Sequence, residues 1–397
     1  MNYPLLSHLY YKDKKEYETL YKNRIQSEFS KVLPIKIGEN DAFYCLSPEI
    51  HNMSLEIMKL DKAIAKISKV LPEIALDQFA RKCLIDEIKL TNDIEGVYST
   101  RKELKSVLNE MNSKNKKKRF YGLIKKYFLL LSGNQFPLNT SNDIRAIYDD
   151  LVLKEVVEAC ADNMPDGEIF RKDKAEVTTP TQKVIHEGVY PESKIIQLME
   201  QSLNILNQDE IPILIRISIF HYLFGYIHPF YDGNGRTSRF ISSYLLSQEY
   251  EPLIGLRLSY TIKEHIHDYY NAFKECNNKN NLGDLTPFII MFLRIILESF
   301  QNLFDALDTR KNQLDEYDHH ICNNQALSEE AKNLAFILTQ VALFSDEGIT
   351  KKELCEQMDI SSSTIEKRLD CLREKEMLLI DKSGRSFKYS INLNLFA

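Results

Sequence analysis

Apolar residues recur at spacings of three and four through most of this 397-residue chain, and only 13 glycines and 12 prolines interrupt them. That spacing gives each segment one apolar stripe, so the chain is expected to be mainly α, with few strands. SLEIMKLDKAIAKISKVL (54–71) and ALDQFARKCLIDEIKLTNDIEG (75–96) read as two amphipathic helices broken at Pro72. The second stops at Gly96, as a glycine just beyond a helix end would require. A third helix is expected from about Thr100. Residues 166–191, DGEIFRKDKAEVTTPTQKVIHEGVYP, break the rhythm with β-branched residues, Pro180 and Gly188, which predicts a short hairpin or flap. Helices resume to about residue 315, and NQLDEYDHHICNNQ (312–325) reads as a linker. Its adjacent His319 and His320 would diverge on a helix, which argues against a metal pair.

A hydrophobic fraction of 44% with 27% charged residues suits a globular protein of two or three domains. The net charge of −6 offers no overall attraction to nucleic acid or anionic membrane, so such a contact needs a local patch. The run SKNKKKR (113–119) reads as a solvated loop between helices. Seven cysteines, odd in number, scattered and never spaced CxxC, argue against a disulfide framework or a zinc site and read as reduced packing residues. No leader and no apolar run of bilayer-spanning length is evident, so a cytoplasmic protein without a membrane partner is expected.

From Leu327 onward the grammar changes. KNLAFILTQVALFSDEG, ITKKELCEQMD and SSSTIEKRLDCLREKEML read as three helices, and LLIDKSGRSFKYSIN as two short strands around Ser383 and Gly384. This is the order of a winged helix-turn-helix domain (327–397). Ser361, Ser362, Ser363 and Thr364 would open its recognition helix, with Lys367 and Arg368 behind them and Lys382, Arg385 and Lys388 on the wing. DNA contact and a dimerisation or protein-contact role both remain open.

The chemistry concentrates in HPFYDGNGRTSR, residues 228–239. Gly233, Asn234 and Gly235 open a helix whose first backbone N–H groups are unpaired, and small residues there let a phosphate approach closely. This is not the GxxxxGK[ST] loop, since no lysine follows. Arg236 and Arg239 lie three apart, hence on one helical face, where forked guanidiniums can grip a polyphosphate. Asp232 supplies one hard oxygen of the kind that holds Mg²⁺ together with phosphate and water. His228, just before the turn, is suited to take a proton from an attacking hydroxyl.

This segment resembles the Fic family signature HPFx[DE]GNGRxxR at every defined position. Eight fixed residues coincide by chance at on the order of 10⁻¹⁰ per starting position, far more specific than a lone GxGxxG. VTTPTQKVIHEGVYPE resembles the family's flap, and YYNAFKECNNKNNLGDLTPFIIMFL the helices that complete its core, so the likeness covers about residues 40–310. It implies a Fic-type helical bundle core with a small β-hairpin flap, here ahead of the winged helix. It divides the chain into an N-terminal helical region (1–112), a catalytic core (113–315) and the C-terminal domain. It also implies transfer of AMP from ATP to a Ser, Thr or Tyr hydroxyl of a target protein, self-modification included. In that scheme His228 is the base, Asp232 the Mg²⁺ ligand, Gly233, Asn234, Gly235, Arg236 and Arg239 the phosphate site, and Phe230 the residue that packs the loop into the core. TNDIEG (91–96) resembles the family's inhibitory motif [ST]xxxE[GN], which would bring Glu95 to Arg239 where the γ-phosphate docks. Within the family, removal of AMP and transfer of another phosphate-containing group are alternatives. A DNA-binding regulator with a Fic-like sensor core is a reading of another class. Tyr269, Tyr270 and Asn271 are candidates for the base pocket, against a core role for the aromatic pair.

Overall fold

A computed structural model describes residues 3–111, 118–178, 184–382 and 386–395. In chain order the elements are α1 (Leu6–Lys12), α2 (Lys14–Ile25), β1 (Ser30–Ile37), β2 (Asn40–Cys45), α3 (Pro48–Val70), α4 (Glu73–Ile94), α5 (Arg101–Asn109), α6 (Tyr121–Leu131) and α7 (Ser141–Tyr148). A π-helical turn (Asp149–Leu153) then leads into α8 (Lys154–Ala159), and the hairpin β3 (Glu176–Thr178) and β4 (Val184–Glu187) precedes α9 (Glu192–Leu206), α10 (Ile213–Ile227) and α11 (Asn234–Glu249). There follow α12 (Leu258–Glu264), α13 (Ile266–Cys276), α14 (Thr286–Asn323), α15 (Glu329–Phe344), β5 (Ile349–Thr350), α16 (Lys351–Met358), α17 (Ser362–Glu374), β6 (Leu378–Asp381) and β7 (Lys388–Ile391). The chain is mainly helical, and it divides into two compact units, Met1–Asp61 with Leu84–Gln301 and Lys62–Cys83 with Asn302–Ala397.

The first unit is built around α10. ILIRISIFHYLFGYI is apolar on every side, which suits only a helix enclosed by others, and α9 and α11 pack against it. Phe220, Leu223, Phe224 and Ile227 are fully buried. Each such side chain contributes about 1.5–3 kcal/mol relative to exposure. The predicted hairpin forms: Glu176 pairs with Glu187 and Val177 with His186 in antiparallel register. Its tip, residues 179–183, lies outside the described residues, as do residues 113–117 of the SKNKKKR run.

Helix α4 ends where the glycine signal places it, with Gly96 at φ +70°. Thr100 caps α5 by accepting the Glu103 N–H. Two expectations of secondary structure are corrected. The N-terminal region is not purely helical, because β1 and β2 form an antiparallel hairpin from Ser30↔Cys45 to Ile37↔Asn40, with Gly38 at φ +60° in the turn. The alternation in VLPIKI was its signal; Pro34 obscured it, falling at a register shift. Residues 312–323 are not a linker but the end of α14, because Leu314 and Ile321, seven apart, are buried on one stripe.

Helix α14 also contains an 18-residue window long and apolar enough, by composition alone, to cross a membrane. Phe288, Ile289, Phe292, Leu293, Ile296 and Phe300 are buried within the protein, so its apolarity is accounted for by the core. The seven cysteines are free thiols, and Cys45, Cys83 and Cys276 pack inside. Cys160 and Cys322 are exposed, contrary to a packing role.

In the second unit, α15, α16 and α17 meet a three-stranded sheet of order β5-β7-β6. Leu334, Leu338, Ile365, Leu369, Leu372, Tyr389 and Ile391 form its core. Ser361 caps α17 by accepting the Thr364 N–H at 3.2 Å. Residues 383–385, which include Arg385, lie outside the described residues.

Candidate active site

The site begins where α10 stops. His228 closes that helix in the left-handed region, φ 53° and ψ 63°, and its N–H still reaches the Phe224 carbonyl at 2.9 Å. A non-glycine residue held there is strained by roughly 1–3 kcal/mol and persists only where its surroundings insist on it. The surroundings are visible. Phe230 is fully buried, stacked on Tyr148 at 3.6 Å and edge-on to Phe170, which anchors the loop. The Asn234 side chain spans the loop, donating to the Phe230 carbonyl at 2.7 Å and accepting the Phe230 N–H at 3.0 Å. Asn234 therefore serves the loop with its side chain and leaves only its backbone N–H for a phosphate.

Gly233 precedes α11 at φ +80°, and a Cβ there would press on Val152 and Tyr148. No side chain caps α11, so its first-turn amides keep the anion-binding character expected of a bare helix N-terminus. Asp232 stands at the edge, about a third exposed, with Oδ1 accepting the Gly233 N–H at 2.5 Å and Oδ2 3.9 Å from Arg236. Among the described residues no three His, Cys, Asp or Glu side chains converge as a metal cage. One carboxylate beside a phosphate cradle nonetheless fits Mg²⁺, an ion held mainly by phosphate oxygens and water.

Arg236 and Arg239 are both buried on one side of α11. Arg236 faces Glu155 of α8 at 3.5 Å, and neither its Nε nor Glu155 Oε2 finds a hydrogen-bond partner among the described residues. Burial lifts the Glu155 carboxyl to about 7, against the opposing pull of Arg236. Arg239 is held by the end of α4 and the residue that follows it: Nε donates to Thr91 Oγ1 at 2.8 Å, and Nη2 to the Thr91 carbonyl at 3.0 Å and to Glu95 Oε1 at 2.7 Å. Burial disfavours the Arg239 charge, but the Glu95 carboxylate outweighs it and raises its proton affinity. A Cβ on Gly235 would fall on the same Glu95 oxygen, so that carboxylate rests directly on the cradle.

One turn further back, Glu87 accepts the Ser259 N–H at 2.9 Å and its hydroxyl at 2.5 Å. It is fully buried, and burial raises it to about 7. Glu87 and Thr91, four apart, lie on one face of α4, and Glu95 follows directly after its last residue.

His228 is only partly buried by area, yet its proton affinity is depressed to about 3, by desolvation first and then by Arg171 and His186. The ring is thus a neutral base at neutral pH. Negative phosphates brought beside it would raise that affinity. Tyr269 belongs to the core: its hydroxyl bonds His221 Nε2 at 2.7 Å while Ser242 holds His221 Nδ1 at 2.8 Å. Tyr270 is half-buried and raised to about 12 by burial and then Glu95, which keeps it near the site. Asn271 is exposed and lines a different cleft of about 690 Å³ with Leu5, His8 and Arg294. Sequence reasoning missed Glu155, Glu87 and Arg171, which lack a motif and become visible only through burial.

Residues 138–246 match the Fic/DOC family. The protein adenylyltransferase Fic of Nematostella vectensis is 34% identical over 89 residues, 22% of this chain and 18% of that protein. Its namesake in Aedes aegypti is 39% identical over 69 residues, 17% of this chain and 12% of that protein. The chain spans less than a fifth of the length of these curated relatives. A Fic family protein from Desulfovibrio desulfuricans G20 shares the fold, with a TM-score of 0.52 at 19% identity over 88% of this chain and 97% of that one.

Proposed function

We propose, from the premise that this chain is a Fic-family protein, that it transfers AMP from ATP to a hydroxyl of a target protein, itself included, and that Glu95 restrains the reaction. One observation carries the reading: a neutral imidazole and an uncapped helix N-terminus flank two buried arginines, and a carboxylate from just beyond α4 lies on that cradle. His228 takes the proton as the target oxygen bonds to the α-phosphorus. The bond from that phosphorus to the bridging oxygen breaks, and pyrophosphate leaves in line. The first-turn amides and Arg236 hold the phosphates, so catalysis rests on positioning and charge neutralisation. Asp232 would hold Mg²⁺, which supplies positive charge to the leaving pyrophosphate. Glu95 occupies the donors on Arg239 that a γ-phosphate needs, so the triphosphate seats poorly.

Intact mass after incubation with ATP and Mg²⁺ tests this. Gain of one adenylyl unit is expected, and His228→Ala should lose transfer by about 10²–10⁴-fold while ATP binding persists. Retained transfer in that variant would mean another base.

Glu95 over the cradle would equally suit orientation of a water for removal of AMP. In that reading its loss lowers activity rather than raising it. We read residues 327–397 as a winged helix suited to protein contact. On α17, Arg373 is paired with Asp370 and lies 3.8 Å from Glu366, while Arg368 acts on Glu330, leaving a mixed-charge face rather than a basic stripe. Salt-sensitive binding of duplex DNA by the full chain would overturn that.

A further inference from the structure

Arg171, in the loop ahead of β3, is fully buried, yet among the described residues its hydrogen bonds go only to backbone carbonyls. Nε donates to the His228 carbonyl at 2.9 Å, Nη2 to Val189 at 2.8 Å and more weakly to Ile227 at 3.5 Å, and Nη1 to Asp173. Its own N–H reaches the Pro229 carbonyl at 3.2 Å. One planar fork thus joins the loop before the hairpin, the hairpin exit and the loop that carries the base. Gly188 completes the joint, because a Cβ there would strike Arg171 Nη2 and press on His228. A buried cation with no carboxylate partner among the described residues costs several kcal/mol, so the arrangement calls for a reason beyond packing.

We propose that Arg171 is a positioning residue for the transfer reaction: it locks the exit of the β3–β4 hairpin to the backbone of His228 and holds a positive charge beside that ring. The inference rests on the reading of His228 as the base. The hairpin and the base then move as one body, so a hydroxyl presented along the hairpin arrives at a ring already in place. Desolvation lowers the proton affinity of the ring most, and the Arg171 charge lowers it further. His186 of β4 acts in the same direction, and the Gly225 backbone in the other. Of the remaining charges on these elements, Asp232 is turned to the Gly233 N–H, Glu187 acts on His186, Arg236 and Arg239 face their own acids, and Lys172, Asp173, Lys174 and Glu176 are exposed.

Two variants separate the roles, each measured beside its parent in a Glu95→Gly background. Arg171→Lys keeps the charge and loses the fork. Arg171→Gln loses the charge as well. In both, hydrogen exchange of the Gly188 and Val189 amides, which donate to Ala175 and Ile227, should speed by about tenfold or more while the α10 amides stay protected. In the pH profile of transfer, the acid limb should move up by about one pH unit in Arg171→Gln and stay in place in Arg171→Lys, whose kcat alone falls. Unchanged exchange and an unchanged profile in both variants would overturn the proposal. Should Arg171→Gln fail to fold, Arg171→Lys decides through its exchange and kcat. Faster exchange with no transfer in any background would instead sink the transfer reading and leave the joint standing.

Discussion

Arg236 and Arg239 lie one turn apart on α11, equally buried, but their surroundings differ in kind. Arg236 faces two carboxylates only loosely, Glu155 at 3.5 Å and Asp232 at 3.9 Å, and its Nε has no hydrogen-bond partner among the described residues. Arg239 is held by three hydrogen bonds from the end of α4 and the residue that follows it. A phosphate arriving at Arg236 competes only with these loose ion pairs. At Arg239 it must first displace a charge-assisted bond of about 1.5–3 kcal/mol. One helix therefore carries a loosely held arginine and a restrained one, and the carboxylate that restrains the second comes from a distant segment.

The largest change should follow from cutting the restraint. Glu95→Gly should raise self-labelling by up to about a hundredfold, the scale of a misplacement near 1 Å, read as the rate of adenylyl gain by mass. Equal rates in both proteins would break the contrast between the two arginines. Next, Arg239→Ala placed on Glu95→Gly should cancel about tenfold of that gain, because the freed guanidinium is what the triphosphate uses. If the double variant is as fast as the single one, Arg239 has no such role. Thr91→Val removes the acceptor of Arg239 Nε and keeps the Glu95 pair; it should loosen the restraint by about 1 kcal/mol, roughly fivefold in rate, with a lower melting temperature.

The smallest effect on transfer, and the sharpest on pH, belongs to Glu87→Gln. Glu87 is raised to about 7 in the folded state, so its favourable contribution is complete below its unfolded value near 4.5 and is lost as pH rises toward 7. That loss amounts to about 3 kcal/mol. Denaturant unfolding at pH 5 and pH 8 should therefore show a smaller decline in the variant than in wild type. An identical decline would mean that Glu87 does not hold the back of α4 as its burial indicates. His221 and His228 work in the opposite sense below about 6.5, but they are common to both proteins and cancel in the comparison.

The cradle was legible because its chemistry is local. Twelve consecutive residues carry an αL histidine, a bare helix start and two arginines on one face, and short-range geometry dictates how they meet. Helical register likewise made Thr91 and Glu95 neighbours at the end of α4. The errors lie where local pattern was ambiguous: a proline inside a strand hid β1, and a polar run hid the end of α14. Only the tertiary structure brings Glu155, 81 positions away in sequence, against Arg236, and folds Arg171 beneath a carbonyl 57 residues away. Burial depends on what the rest of the chain places around a side chain, and no motif records it. The sequence determined which groups could do chemistry, and the packing of α4, α8 and the hairpin loop decided which are loosely held, which are restrained and what holds them there.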